Sequence, residues 1–472
     1  MQPSVPSHLT KFHWEPQPAA QKVVDGLVND FLAKCEWAQV LSKRMKAETG
    51  TRFKDWVDHI AVPHTDAFAK TLKEAGFQHK PTHHAPGNYE CDAGIFPNII
   101  LSKNSHLHLV AIKVDSVVDF LAAHDLPHHD SINDGGEKGV GSRLRMALGC
   151  SCGTAAHRYE LWAIERHGMS GFDYDNSTPE QRLRAVEHAE RLRTRRREFP
   201  KDADGFAEVH RIVDAAVKDL GKDWTCDLFF EAERRYWMKR NRAAQVQYAR
   251  QCRLGLGWAN HDHHTYRSSR EHFADLISLW EKLGFQCREV FYAGSEAGWG
   301  AQVMEQPVTK VTTFNDVDMS PEELVQDFAH NGFVVRHDTL GTVGMWVALH
   351  GEAVLQAGMH HLECQFDYHA MVEQLEKSGG VKHMAPFTTF PFLRQAFTEG
   401  EKWAVNPKRV ERLVADGHIT RRQGDAFIKE GAIGSHLETL ERNDGFKGFN
   451  QKGVSDIIQR TDPRRLVSLT GA

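Results

Sequence analysis

Trp258-Ala-Asn-His-Asp-His-His-Thr-Tyr-Arg267 crowds three histidines, an aspartate and an arginine into its last seven positions. It follows Gly255-Leu-Gly257 and precedes a run with helical spacing, so it reads as a strand. Successive side chains of a strand point to opposite faces, which puts His261, His263, Thr265 and Arg267 on one face and Asp262, His264 and Tyr266 on the other. Neutral imidazole is the commonest metal ligand and a guanidinium matches a carboxylate, so the first face points to a metal site that binds an organic acid. A His-rich surface strand without chemistry is the rival reading, and the surrounding sequence argues against it.

Working outward, Ser268-Ser269 caps a helix over Arg270–Gly284, and Cys287–Tyr292 is the next strand. The same order occurs earlier. Trp56–Pro63 reads as a strand containing His59, Thr65-Asp66 starts a helix, and that helix stops at Gly76. Asp58-His59, a helix and Glu74-Ala-Gly-Phe77 match Asp262-His263, a helix and Lys282-Leu-Gly-Phe285, a strand-helix-strand unit used twice. Strands are expected at 94–101, 107–114, 301–305 and 310–314, with a hairpin-like pair at Val343–Leu349 and Ala353–Cys364 and a helix from Tyr368 to Lys377. Thr178-Pro-Glu-Gln181 opens a strongly helical block that extends to about Arg250. Its basic run, Arg191–Arg197, is expected to be a solvated helix face. Asp134-Gly-Gly-Glu-Lys-Gly-Val-Gly141 lacks the strand-to-helix context and terminal Lys-Ser/Thr of a phosphate loop and is expected to be a plain loop.

The pattern is α+β. An N-terminal helical segment (1–52) precedes a first βαβββ-like module (53–165), a helical insertion (166–254), a second module (255–378) and a C-terminal helical region (379–472). The 472 residues carry a net charge of -5, which gives no basic footprint for nucleic acid. No long apolar run or signal-peptide pattern appears, so the expected location is cytoplasmic, with no membrane partner. Eight scattered cysteines, with only Cys150 and Cys152 close together, resemble neither a disulfide framework nor a zinc knuckle. The 29 histidines are the compositional outlier, and many come as doublets.

Two first-strand histidines and a carboxylate on a closing strand are the ingredients of a two-histidine, one-carboxylate site, which leaves positions open for O2 and a bidentate acid on non-haem Fe(II). The candidate ligands for Fe2+ are His59, His263 and Glu363, with His261 and Glu305 as alternatives. Arg267 is the candidate for holding the substrate carboxylate.

On these residues the chain resembles the vicinal oxygen chelate superfamily and, within it, the 2-oxoadipate dioxygenase/decarboxylase family, as a divergent member. Asp262-His263-His264-Thr265-Tyr266-Arg267 keeps the His, Thr and Arg of that family's Asn-His-Leu-Thr-Pro-Arg motif. Leu413–Ile419, Gly431–Leu437 and Gly445–Gln451 follow in the family's order. The resemblance implies an Fe(II) dioxygenase that decarboxylates a 2-oxo acid to a hydroxy acid one carbon shorter, with the acid and O2 as partners. The family's Phe-Gly-Glu-Ile-Glu-Gln-Arg-Gly block has no clean counterpart near Glu363. Pro63 and His64 stand where the family has a substrate-binding arginine, and His64 is the candidate to share its role. The alternatives are an isomerase or lyase of the glyoxalase type, working without O2, and a non-catalytic binding protein on the same fold.

Overall fold

The computed structural model describes residues 14–127, 132–133, 143–172, 177–292, 298–334 and 340–465, so the glycine-rich stretch Asp134–Gly141 lies outside the described residues. Helices α1 (Pro18–Lys34) and α2 (Glu36–Arg44) come first and bury Val24, Val28, Phe31 and Leu41 against the first of two sheets.

That sheet consists of two βαβββ units. The first is β1 (Val57–Pro63), α3 (Asp66–Glu74), β2 (Gln78–His79), β3 (Asn88–Glu90) and β4 (Asn98–Ser102). The second is β5 (Leu107–Lys113), α4 (Val117–Ala123), β6 (Ile132–Asn133), β7 (Leu144–Thr154) and β8 (His157–Arg166). Thr65 and Ser116 cap α3 and α4 by accepting from the amides of Phe68 and Asp119. The units join through antiparallel β1 and β5, giving the order β2-β3-β4-β1-β5-β8-β7-β6.

The helical block follows as α5 (Pro179–Thr194), α6 (Asp202–Leu220), α7 (Lys222–Met238) and α8 (Arg242–Cys252). Thr178 and Gln181 form the expected capping box. The basic run departs from its expected solvation. Helix α5 stops at Thr194, and Arg195 and Arg197 turn inward to Glu233 of α7 at 2.7 and 2.6 Å. A carboxylate only 1% exposed needs such partners.

The second sheet repeats the plan. Its first unit is β9 (His261–Arg267), α9 (Phe273–Lys282), β10 (Gln286–Tyr292), β11 (Trp299–Glu305) and β12 (Thr312–Asp318). After α10 (Phe328–Asn331) and α11 (Thr342–His350), the second unit starts with β13 (His361–Gln365), α12 (Tyr368–Gln374), β14 (Thr388–Phe390) and β15 (Leu393–Phe397). It closes, past β16 (Glu401–Trp403), α13 (Pro407–Ala415) and α14 (Arg421–Glu430), with β17 (Ala432–Arg442), and α15 (Gln451–Arg460) comes last. The order is β10-β11-β12-β9-β13-β17-β15-β14, with β16 pairing on β17. Among the described residues no helix is long and apolar enough to cross a membrane.

The architecture is therefore α+β with two mixed sheets, each containing two βαβββ units where the sequence suggested one. Two further expectations are corrected. Residues 379–472 are not a helical region, because they supply β14 to β17 of the second sheet. Val343–Leu349 is not a strand but most of α11, since a short run apolar on every side suits a buried helix as well as a buried strand. Asp318 decides between them by accepting from the amides of Gly341 and Val343, at 2.7 and 3.2 Å, at the start of α11. A Cβ on Gly344 would lie 2.2 Å from the same carboxylate, so the close approach requires glycine. Asp318→Ala is expected to cost about 1–2 kcal/mol of stability, read as a lower denaturant midpoint.

Candidate metal centre

Strand β9 pairs antiparallel with β13, and β13 pairs parallel with β17. The register places His263 opposite Glu363 and Glu363 opposite Glu438, so three neighbouring strands bring one imidazole and two carboxylates into a row. One ligand atom from each of the three lies within 4.8 Å of the others, and all three residues are buried. The next row pairs Thr265, His361 and His436. Glu363 Oε1 lies 3.2 Å from His263 Nε2 and 2.9 Å from His361 Nε2, and it accepts from Thr265 Oγ1 at 2.9 Å. Gln395 Nε2 donates to Glu438 at 2.8 Å.

The local fold also orients His263. Adjacent residues of a regular strand face opposite ways, but the register slips one residue at Asp262, a β-bulge, and this turns Asp262 and His263 toward each other. His263 Nδ1 donates to Asp262 Oδ1 at 2.8 Å, which leaves the Nε2 lone pair on the Glu363 side. Arg442, at the end of β17, grips both Asp262 oxygens at 3.1 Å. Burial alone would raise the Asp262 carboxyl, but Arg442 and His263 outweigh it and hold it well below the usual carboxylate range. The same bulge turns His261 away. Its ring lies 5.1 Å from that of His264, and its Nδ1 donates to the Trp258 carbonyl, so it does not share the His263 face as strict alternation requires.

Electrostatics favour a cation here. Burial holds His263 and His361 below the ordinary histidine value, hence neutral and able to ligate. Burial, followed by the like charge of Glu438, drives Glu363 well above the usual range, and burial raises Glu438 too. Without a cation the pair retains a proton. Glu363 Oε2, His361 Nδ1 and His436 Nε2 are buried with no hydrogen-bond partner in the protein. An imidazole, two carboxylates and these orphaned atoms fit a divalent metal.

Phe314, Phe397, Phe449, Ile457 and Val343 form an apolar wall on this side of the sheet. Arg267, 2% exposed, places its Nε 3.6 Å from Asp316 Oδ2, too long for a hydrogen bond, and its Nη2 has no hydrogen-bond partner in the protein. Burial raises Asp316 to about 7 although Arg267 opposes it.

The other sequence candidates lie elsewhere. His59 is on β1 of the first sheet, in an almost identical setting. Asp58 is the bulged residue there, His59 Nδ1 donates to it at 2.8 Å, and Arg166 at the end of β8 grips it at 2.8 Å. Phe172 edges His59 as Phe449 edges His263. The positions matching Glu363 and Glu438, however, are Ala111 and Trp162. Among the described residues His59 belongs to no ligand cluster, so it is not brought together with His263 and Glu363. His64 is exposed between β1 and α3, and Glu305 pairs with Lys447 and Arg288 at 2.8 and 3.3 Å. Sequence reasoning passed over Glu438, His361 and His436. The available signal was the repeated tripeptide His361-Leu-Glu363 and His436-Leu-Glu438, each spaced to put His and Glu on one strand face.

No family model and no curated protein matches the chain. Similar solved structures include methylmalonyl-CoA epimerase from Mycobacterium tuberculosis, 14% identical over 39% of this chain and 88% of that one, with a TM-score of 0.22. A triple mutant of 4-hydroxymandelate synthase from Streptomyces coelicolor is 10% identical over 75% of this chain and 96% of that one, with a TM-score of 0.29. The uncharacterized protein YdcJ from Shigella flexneri, which includes domain DUF1338, is 14% identical over 62% and 86%, with a TM-score of 0.24. At such scores these likenesses carry no argument about this chain, whose reading rests on its own topology and site.

Proposed function

We propose that the chain is a divergent vicinal oxygen chelate enzyme, a non-haem Fe(II) dioxygenase that oxidatively decarboxylates a 2-oxo acid to a hydroxy acid one carbon shorter. The observation that carries this reading is the buried row His263, Glu363 and Glu438 on three adjacent strands. In this proposal those residues hold the metal, and Glu438 takes the place first expected of His59. His361 stands ready as a second imidazole 2.9 Å from Glu363. When bound, Fe(II) supplies a Lewis-acidic, redox-active centre that accepts O2 and the acid together. Asp262 fixes the tautomer of His263, and Arg442 fixes Asp262. Arg267, whose Nη2 has no hydrogen-bond partner in the protein, would hold a substrate carboxylate. Phe314, Phe397 and Phe449 keep water from the reacting carbon.

Anaerobically prepared protein loaded with Fe(II) is expected to consume O2 and release CO2 when given one member of a panel of 2-oxo acids. Arg267→Met should raise KM for that acid by about a hundredfold or more, in line with losing a charged hydrogen-bond partner worth roughly 3 kcal/mol. Absence of O2 uptake across the panel from metal-loaded protein defeats the dioxygenase reading. The carboxylate pair Glu363–Glu438 favours one second reading, a metal-dependent isomerase or lyase in which one carboxyl moves a proton. That reading gives turnover with Zn2+ or Ni2+ and no O2 uptake.

A further inference from the structure

Cys35 lies at the break between α1 and α2, and Cys150 on β7 of the first sheet reaches it with an Sγ–Sγ distance of 3.2 Å. Cys152 also interacts with Cys35, and Cys150 is the partner for which a sulfur–sulfur contact this short is seen. The two residues are 115 positions apart, so the contact is created by packing α1 and α2 on the sheet. Cys152, two residues along the same strand, places its Sγ 3.5 Å from the Lys34 carbonyl, beside the same break. Cys35 is fully buried, whereas Cys150 and Cys152 are partly exposed. A dissolved oxidant thus meets the strand thiols more readily than Cys35. The hydrogen bond with Cys35 lowers the Cys150 thiol, while the same contact followed by burial raises Cys35. Either sulfur can donate in this contact, and the one that has lost its proton is the nucleophile in disulfide exchange.

We propose that Cys35 and Cys150 form a redox-active dithiol that a small-molecule disulfide of the glutathione class converts to an intramolecular disulfide. The Cys150 thiolate attacks one sulfur of glutathione disulfide. Its S–S bond breaks, a mixed disulfide forms on Cys150, and one glutathione thiolate leaves. The Cys35 sulfur, after its proton passes to the departing thiolate, attacks the Cys150 sulfur and expels the second glutathione. Two protein thiols are oxidised and one glutathione disulfide is reduced to two glutathiones. Closing the contact to a bond of about 2.05 Å needs a shift of roughly 1.2 Å, which a side chain at a helix break can supply. The bridge would tie β7 to the N-terminal helices, and just past α2 Lys46 pairs with Asp367, the N-cap of α12, at 2.8 Å.

The test is peptide mapping of the native, reduced full-length chain after exposure to glutathione disulfide and trapping of the remaining thiols with iodoacetamide. The expected product is a peptide pair linked through Cys35 and Cys150, rising from background to most chains and disappearing with dithiothreitol. The link should vanish in Cys150→Ser and persist in Cys152→Ser. Exposed Cys252 reports whether the oxidant acted, by carrying glutathione. Recovery of Cys35 as an alkylated thiol while Cys252 carries glutathione overturns the proposal, and so does a link that survives in Cys150→Ser.

Discussion

Replacing His263 with alanine is expected to strip the protein of its divalent metal, while the same change at His59 leaves the metal in place. Elemental analysis should find about one metal per chain in the wild type and in His59→Ala, and at least a roughly tenfold drop in His263→Ala and Glu438→Ala. The two histidines are a stringent pair because their surroundings match. Each follows a bulged aspartate, each aspartate is gripped by an arginine at the end of the closing strand, and each ring meets a phenylalanine edge. The residues across the strands differ, Ala111 and Trp162 in one sheet and Glu363 and Glu438 in the other. If His59→Ala lost metal as fully as His263→Ala, the ligand set proposed here would be wrong and the first sheet would have to contribute.

The second large effect concerns pH. Burial raises the folded value of Glu438, to about 8, and that of Glu363 as well. Between the ordinary glutamate value of 4.5 and that raised value, the folded metal-free protein binds more protons than the unfolded chain. Stability therefore falls as pH rises through this window and is fully present only below it. Ionising a buried carboxylate with no compensating partner costs on the order of 3 kcal/mol, so the metal-free protein should unfold at lower denaturant at pH 8.5 than at pH 5 by roughly that amount. Glu438→Gln removes one of the two charges and should flatten the profile, and added metal should restore stability at the higher pH. A metal-free wild type with equal stability at both pH values would show that the pair is not strained.

The amino-acid pattern by itself determined a good deal. The stretch at 261–267, the helix with its glycine stop and the matching unit at 58–77 announce a repeated strand-helix-strand plan, and both copies form, although the second helix starts at Phe273 with His272 at its N-cap and not at Ser268-Ser269. Caps at Thr65 and Thr178 are equally legible, because a side-chain oxygen meeting an amide three residues away is a local interaction. His263 and Glu363 could be singled out as residue types on strands. Their meeting at 3.2 Å, and the choice of Glu438 as the third member of the row, depend on strand register between segments 75 to 175 residues apart, where local spacing is silent. The same holds for α11. Its uniformly apolar sequence suits strand or helix, and only Asp318, delivered by β12, supplies the acceptor for its first amides. His261 and His263 look equivalent in an ideal strand, and the bulge at Asp262 separates them. Short-range periodicity and capping wrote the elements into the sequence. Long-range pairing, which costs chain entropy before any contact repays it, decided which of the many histidines and glutamates face one another.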